Sequence, residues 1–301
     1  GSEMCIRDSN NDLAVTNFDK TTATAFHLVE NNTDGKDLTL TTLKAGDTVG
    51  VINDNDNNVA ELSLGLKDAS GSADVLNVEI YGADGATGAQ NGIDDIIFTA
   101  IETLNITSDV VSVLGNEKLS TSSESNLISD ISADTALTTV NLSGNDKLTV
   151  TVGAEAALLS AIDASGMTYD ATITTSAASA VTVTLGSGND TLNFGTTLTG
   201  TDTVTDGGNR TATTADRLTA TISGLSTVTG TGNLNISGVE NIDLITATSA
   251  SSVSAANITG ATVINAAGTD GGDNTTALTI TDLPVGTSVG VGNAAAAAND
   301  I

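Results

Sequence analysis

Basic and aromatic side chains are nearly missing from this chain. Its 301 residues carry 9 Lys+Arg against 37 Asp+Glu, a formal net charge of −28. A polyanion of that strength repels nucleic acid and anionic membrane surfaces, so charge-driven binding to either is excluded. Aromatics make up 2% and Trp is absent, so the core has to be built from small and branched residues. One His, one Cys and two Tyr leave almost no material for a Ser-His-Asp or Cys-His arrangement or a zinc site, and no enzyme is expected. A single proline among 31 glycines assigns the turns to Gly and Asx side chains. No run of about 18 apolar residues occurs, so no membrane span is expected.

The one cysteine, Cys5, lies in a leading segment that shares nothing with the texture after it. Residues 4–9 resemble translated adapter sequence of the kind found in metagenomic reads, and residues 1–9 are read as a non-native scar. Residues 10–301 read as one continuous β-rich repeat region with a soft boundary near 110–135. The last residues, 294–301, offer no closing element, as expected of a fragment of a longer protein.

What is present favours a folded β protein. Hydrophobic residues reach 39% and mean hydropathy is +0.11, too apolar for a disordered acidic tail. Threonine is about one residue in six and, with Val and Ile, favours strand over helix. Short alternating or apolar runs at residues 37–43, 75–80, 104–107, 148–152 and 181–185 read as strands punctuated by Gly, Asn, Asp and Ser. Residues 154–164, where Leu158, Leu159 and Ile162 share a helical face, and residues 123–131 read as short helical decorations. Asp146, Asp170, Asp190, Asp216 and Glu240 recur at a spacing that suits coils stacked on one another. The expected fold is an all-β, irregular parallel β-solenoid; tandem β-sandwich domains are the alternative, since they also place turns every 8–12 residues.

One motif carries specific chemistry. Gly186-Ser187-Gly188-Asn189-Asp190-Thr191-Leu192 matches the calcium-binding nonapeptide except at its first position, where Leu185 replaces Gly. The glycines are expected to adopt positive φ and aim carbonyls inward, while Asp190 adds a charged oxygen. A degraded copy holds Gly144, Asn145 and Asp146, and Asp74 and Asp202 open strands after similar turns. Asp54 and Asp56 start an oxygen-rich loop that is not an EF-hand, because Val59 and Gly65 occupy the positions needing Gly and Glu. Calcium is therefore the expected cofactor. Thr-x-Thr pairs such as Thr172/Thr174 and Thr182/Thr184 read as scattered, and exposed strand positions suffice to explain them.

Residues 71–80 followed by 98–107, residues 161–167 leading through 181–184 into the Gly186–Asp190 motif, and residues 238–244 together resemble calcium-binding surface-layer proteins of Gram-negative bacteria, members of the RTX-related group. The resemblance implies an exported, extracellular protein at the bacterial cell surface that binds calcium and assembles with copies of itself. A tandem run of intact nonapeptides is missing here. A calcium-stabilised adhesin or phage-fibre module that binds a cell-surface polysaccharide is a second reading. A polysaccharide lyase or epimerase is a third, and it requires a cleft gathering Tyr81 or Tyr169, Arg210 or Arg217 and carboxylates.

Overall fold

The computed structural model describes residues 2–8, 13–15, 23–30, 36–53, 59–81, 92–109, 125–133, 136–208, 215–247, 249–268 and 277–293. Apolar residues alternate in short runs, as in Leu76, Val78 and Ile80 or Leu148, Val150 and Val152, and a strand turns each such set to one face. Two 12-stranded sheets result, and successive strands of the chain go alternately to one sheet and the other. Every pairing is parallel and joins a strand to the second one after it, so each coil stacks on the last. This is a β-solenoid. Tandem β-sandwiches, which are antiparallel, are excluded by that pairing.

Register explains the stacking. In the first sheet Leu76, Leu104, Val140, Ile162, Val183, Val204, Ile236 and Ile258 follow one another rung by rung, all buried. In the second sheet Val59, Ile93, Ile128, Val150, Ile173, Leu192, Leu218, Ile242 and Ile264 do the same. Each of these side chains, once enclosed, contributes about 1.5–3 kcal/mol, and a one-residue slip would expose its column. Polar residues stack as well: the Asn105 Nδ2 donates to Asn77 Oδ1 at 2.7 Å and the Asn141 Nδ2 to Asn105 Oδ1 at 2.8 Å. The Thr-x-Thr pairs are aligned rather than scattered, since Thr182/Thr184 sit on Thr203/Thr205 and Thr149/Thr151 sit on Thr172/Thr174.

The strands expected from alternation are found at Lys36–Leu43, Val75–Tyr81, Thr103–Asp109, Lys147–Val152 and Thr182–Thr184. The helical decorations are not: among the described residues no helix occurs, and none is long and apolar enough to cross a membrane. Residues 125–133 form the strand Ser125–Ala133, and residues 154–160 form turns that lead into Ala161–Met167. Leu159 and Ile162 are buried, but Leu158 is 59% exposed, so no helical face exists there. Pairing with the neighbouring coils overrides the local helical pattern, because strand Ala161–Met167 completes a ladder already set by Thr139–Gly144. The sheets run on past residues 110–124, where Thr103–Asp109 pairs with Thr139–Gly144 and Gly92–Phe98 with Ser125–Ala133. Ser2–Asp8 is a strand paired with Ala23–Glu30.

Candidate metal centre

Each carboxylate in the expected series directly precedes a strand of the second sheet, at Lys147, Ala171, Thr191, Arg217 and Asn241. Three of them form a staircase. Asp190 Oδ1 accepts the N–H of Ala171 at 2.7 Å, 19 residues earlier. Asp216 Oδ1 accepts the N–H of Asp190 at 2.7 Å, 26 residues earlier, and Glu240 Oε2 accepts that of Asp216 at 2.8 Å, 24 residues earlier. Each coil thus caps a strand-opening N–H of the coil before it, a donor that burial would otherwise leave unsatisfied. Asp170 lies one position off this series, because the staircase reaches Ala171.

The nonapeptide glycines serve this stacking in a way different from that expected. Neither Gly186 nor Gly188 has a positive φ. A Cβ on Gly186 would lie 2.5 Å from Met167 O, and one on Gly188 2.5 Å from the Tyr169 carbonyl carbon. The preceding coil's backbone occupies the space of a side chain, so only glycine permits the contact. Gly186 also donates its N–H to Asp190 Oδ2 at 2.9 Å, which closes the turn on its own carboxylate.

Asp206 completes the site from the other sheet's side. It follows the strand Thr203–Thr205, and its N–H donates to Ser237 O at 2.8 Å. Its side chain lies over Gly238, at φ +87°, where a Cβ would meet Asp206 Cβ at 2.7 Å. One carboxylate oxygen from each of Asp190, Asp206 and Asp216 lies within 4.8 Å of the others, the one such group of three among the described residues. Asp190 is 1% exposed and Asp216 0%. Asp206 Oδ1 and Asp216 Oδ2 are buried without a hydrogen-bond partner.

The electrostatics follow from that enclosure. Burial, joined by the charges of Asp206 and Asp170, pushes the Asp190 carboxyl up to about 6 against two backbone N–H bonds that lower it. Burial likewise pushes Asp216 up to about 7, with Asp206 and Asp190 adding repulsion. Asp190 and Asp216 therefore resist ionisation unless a cation joins them. A metal ion fits the donors. All three are carboxylates with one oxygen each within 4.8 Å of the others. An all-oxygen set suits a hard cation of the calcium or magnesium class.

The other expected ligands are placed differently. Asn189 is exposed; its N–H donates to Asp170 Oδ1 at 3.0 Å, and its Oδ1 accepts the N–H of Ala215 at 2.7 Å. In the degraded copy, Asp146 Oδ1 accepts the N–H of Lys147 at 2.9 Å and Asn145 donates its N–H to Asp109 Oδ1 at 3.1 Å. Gly144 there does adopt positive φ, +130°. Asp202 spends Oδ1 on the N–H of Val181 and Oδ2 on that of Thr199. Asp74 donates its N–H to Glu102 Oε2 at 2.7 Å, the same staircase in the first sheet, and its Oδ2 is buried without a partner. Asp54 and Asp56 lie outside the described residues.

Asp206 was not singled out by sequence reasoning. The local signal was the turn Asp206-Gly207-Gly208 closing a strand, yet its partners are 16 and 10 residues away (206 − 190 and 216 − 206) and only the coil geometry joins them. Of the residues named for a lyase, Tyr81, buried with its hydroxyl donating to Glu79 Oε2, is on the first sheet and Arg217 on the second; Tyr169 is exposed in the turn before the strand Ala171–Thr175, and Arg210 lies outside the described residues. Comparison with protein-family models, curated proteins and solved structures finds no match to this chain.

Proposed function

We propose that this chain is a structural component of a bacterial cell surface, folding with calcium outside the cell and assembling with copies of itself into a surface layer. The observation that carries this reading is the Asp190–Asp206–Asp216 group, in which three carboxylates converge and two of their buried oxygens, Asp206 Oδ1 and Asp216 Oδ2, have no hydrogen-bond partner. Such a group opposes folding at neutral pH and favours it once a divalent cation binds, because the ion binds the folded form alone. The excess of 28 negative charges acts in the same sense over the whole molecule. Extracellular modules bind calcium with Kd of roughly 10⁻⁴–10⁻³ M, so the chain stays loose where calcium is scarce and closes where it is abundant. The lack of cationic and aromatic side chains and the resemblance to RTX-related surface-layer proteins favour a structural over a catalytic role.

A calcium titration of the chain tests this, with circular dichroism for folding and negative-stain images for assembly. Folding accompanied by ordered sheets or filaments is expected. A chain equally folded in EDTA overturns the ion-driven mechanism, and folding into dispersed particles overturns the assembly.

A further inference from the structure

We propose that the outer face of the second sheet binds a neutral glycan chain lying along the solenoid axis. This site is independent of the surface-layer reading; it adds a ligand to a face that the metal centre does not use. A groove of 440 Å³ runs there over six successive strands, from Ser125–Ala133 to Asn241–Thr246. Five rung spacings make it roughly 24 Å long, enough for several sugar units in line. Its volume falls within the range of small-molecule sites.

The lining selects the ligand. One side is the in-register column Thr149, Thr172, Thr191, Arg217 and Asn241. The other side carries Lys147, Asp170 and Asn189. No aliphatic residue larger than Ala215 and no aromatic ring lines it, so an apolar peptide or lipid finds no partner. Its two cations are already matched: Lys147 Nζ lies 3.5 Å from Asp170 Oδ2, and Arg217 Nε donates to Asp243 Oδ2. With those charges neutralised, and −28 on the chain, an anionic polymer is repelled. What remains is an array of donors and acceptors without net charge, in which Thr149, Thr172 and Thr191 offer a hydroxyl beside a methyl on three successive rungs. That pairing suits a sugar, which presents hydroxyls and C–H faces side by side.

The groove is also tied to the metal centre through the backbone. Asn189 and Thr191 flank Asp190, and Ala215 and Arg217 flank Asp216, so the groove's central rungs lie across the strand from the buried carboxylates. The cation site beneath holds those rungs in register while taking no part in the contacts above.

The test is isothermal titration of the whole chain, in calcium buffer, with cellohexaose, maltohexaose and chitohexaose, and with a hexamer of galacturonic acid as the anionic comparison. At least one neutral hexamer is expected to bind, and more tightly than the anionic one. The double variant Thr172→Val with Thr191→Val keeps the β-branched shape and removes two hydroxyls; it should weaken binding about ten-fold or more. Its calcium response should match the parent's, so failure of the groove and failure of the metal centre are read separately. Absence of binding by all three neutral hexamers, tighter binding of the anionic hexamer, or equal affinity in the double variant overturns the proposal.

Discussion

Asp216 meets Asp190 through one oxygen and leaves the other for Asp206: its Oδ1 accepts the Asp190 N–H at 2.7 Å while its Oδ2 is buried without a partner. The two oxygens therefore do separable work, one capping a strand and one offered to a cation.

Asp216→Asn keeps the cap, because an amide oxygen still accepts the Asp190 N–H, and removes the charge. In EDTA this variant should melt at or above the parent's temperature, and the rise produced by calcium should largely vanish. Asp216→Ala instead leaves the Asp190 N–H buried and unpaired, a cost of about 1–3 kcal/mol whether or not calcium is present. Thermal melts of both variants with calcium and with EDTA separate the two roles. A full calcium shift retained in Asp216→Asn would remove Asp216 from the ion's ligands.

Acidity should act in opposite senses on the two forms. Asp190 and Asp216 titrate near 6 and 7 in the fold, above the ordinary carboxylate value of 3.8 that they regain on unfolding. Their contribution to stability is therefore complete below about pH 4 and is lost as pH rises through the folded values, since the unfolded chain then ionises more readily. In EDTA the melting temperature should fall between pH 5 and pH 8. With calcium the ionised trio gains its partner, so the gap between calcium and EDTA melts should widen over the same range. A gap that stays constant with pH would count against these carboxylates as the calcium site.

A second line of acids is an unrelieved repulsion. Glu61, Asp95 and Asp130 stand opposite one another on three successive strands. Burial, followed by the charges of Asp95 and Glu155, raises the Asp130 carboxyl above its ordinary range, although a hydrogen bond from Ser132 lowers it. Like charges directly opposite in a sheet cost roughly 0.2–1 kcal/mol per pair. Asp95→Asn removes the central charge and should raise the melting temperature in EDTA by one or a few degrees, as differential scanning calorimetry would show. A lower temperature would mean that the Asp95 carboxylate itself holds the strands together.

The fold was legible because its signal is repeated in every coil. Alternation located the strands around Leu76, Leu104 and Leu148, and the acidic spacing found the entrance to successive rungs at Asp190, Asp216 and Glu240. The false helix at 154–164 arose where the run Ala154-Glu155-Ala156-Ala157-Leu158-Leu159 has strong local helix formers, and only the ladder to Thr139–Gly144 decides against it. Site geometry was less legible. Asp190 stands out through its glycines, but Asp206 meets it only because coils of unequal length, 19 residues and then 26 along the staircase, bring a turn from one side of the solenoid onto the other. No local pattern reports that closure.

Glycine chemistry gives the last test, since two positive-φ glycines separate backbone strain from steric exclusion. Gly195, at φ +54°, has nothing within 4 Å of where a Cβ would stand, so Gly195→Ala should cost only the left-handed conformation, about 1–2 kcal/mol. Gly144, at φ +130°, would put its Cβ 1.8 Å from Ser108 O, inside the backbone of the preceding coil. Gly144→Ala must therefore push strand Thr139–Gly144 off Thr103–Asp109 as well, and the loss should exceed that at Gly195 by at least about 2 kcal/mol. Denaturant midpoints of the two variants in calcium buffer measure the difference. Equal losses would show that the coil at Gly144 yields without breaking the ladder, and that close coil contact, unlike register, is dispensable there.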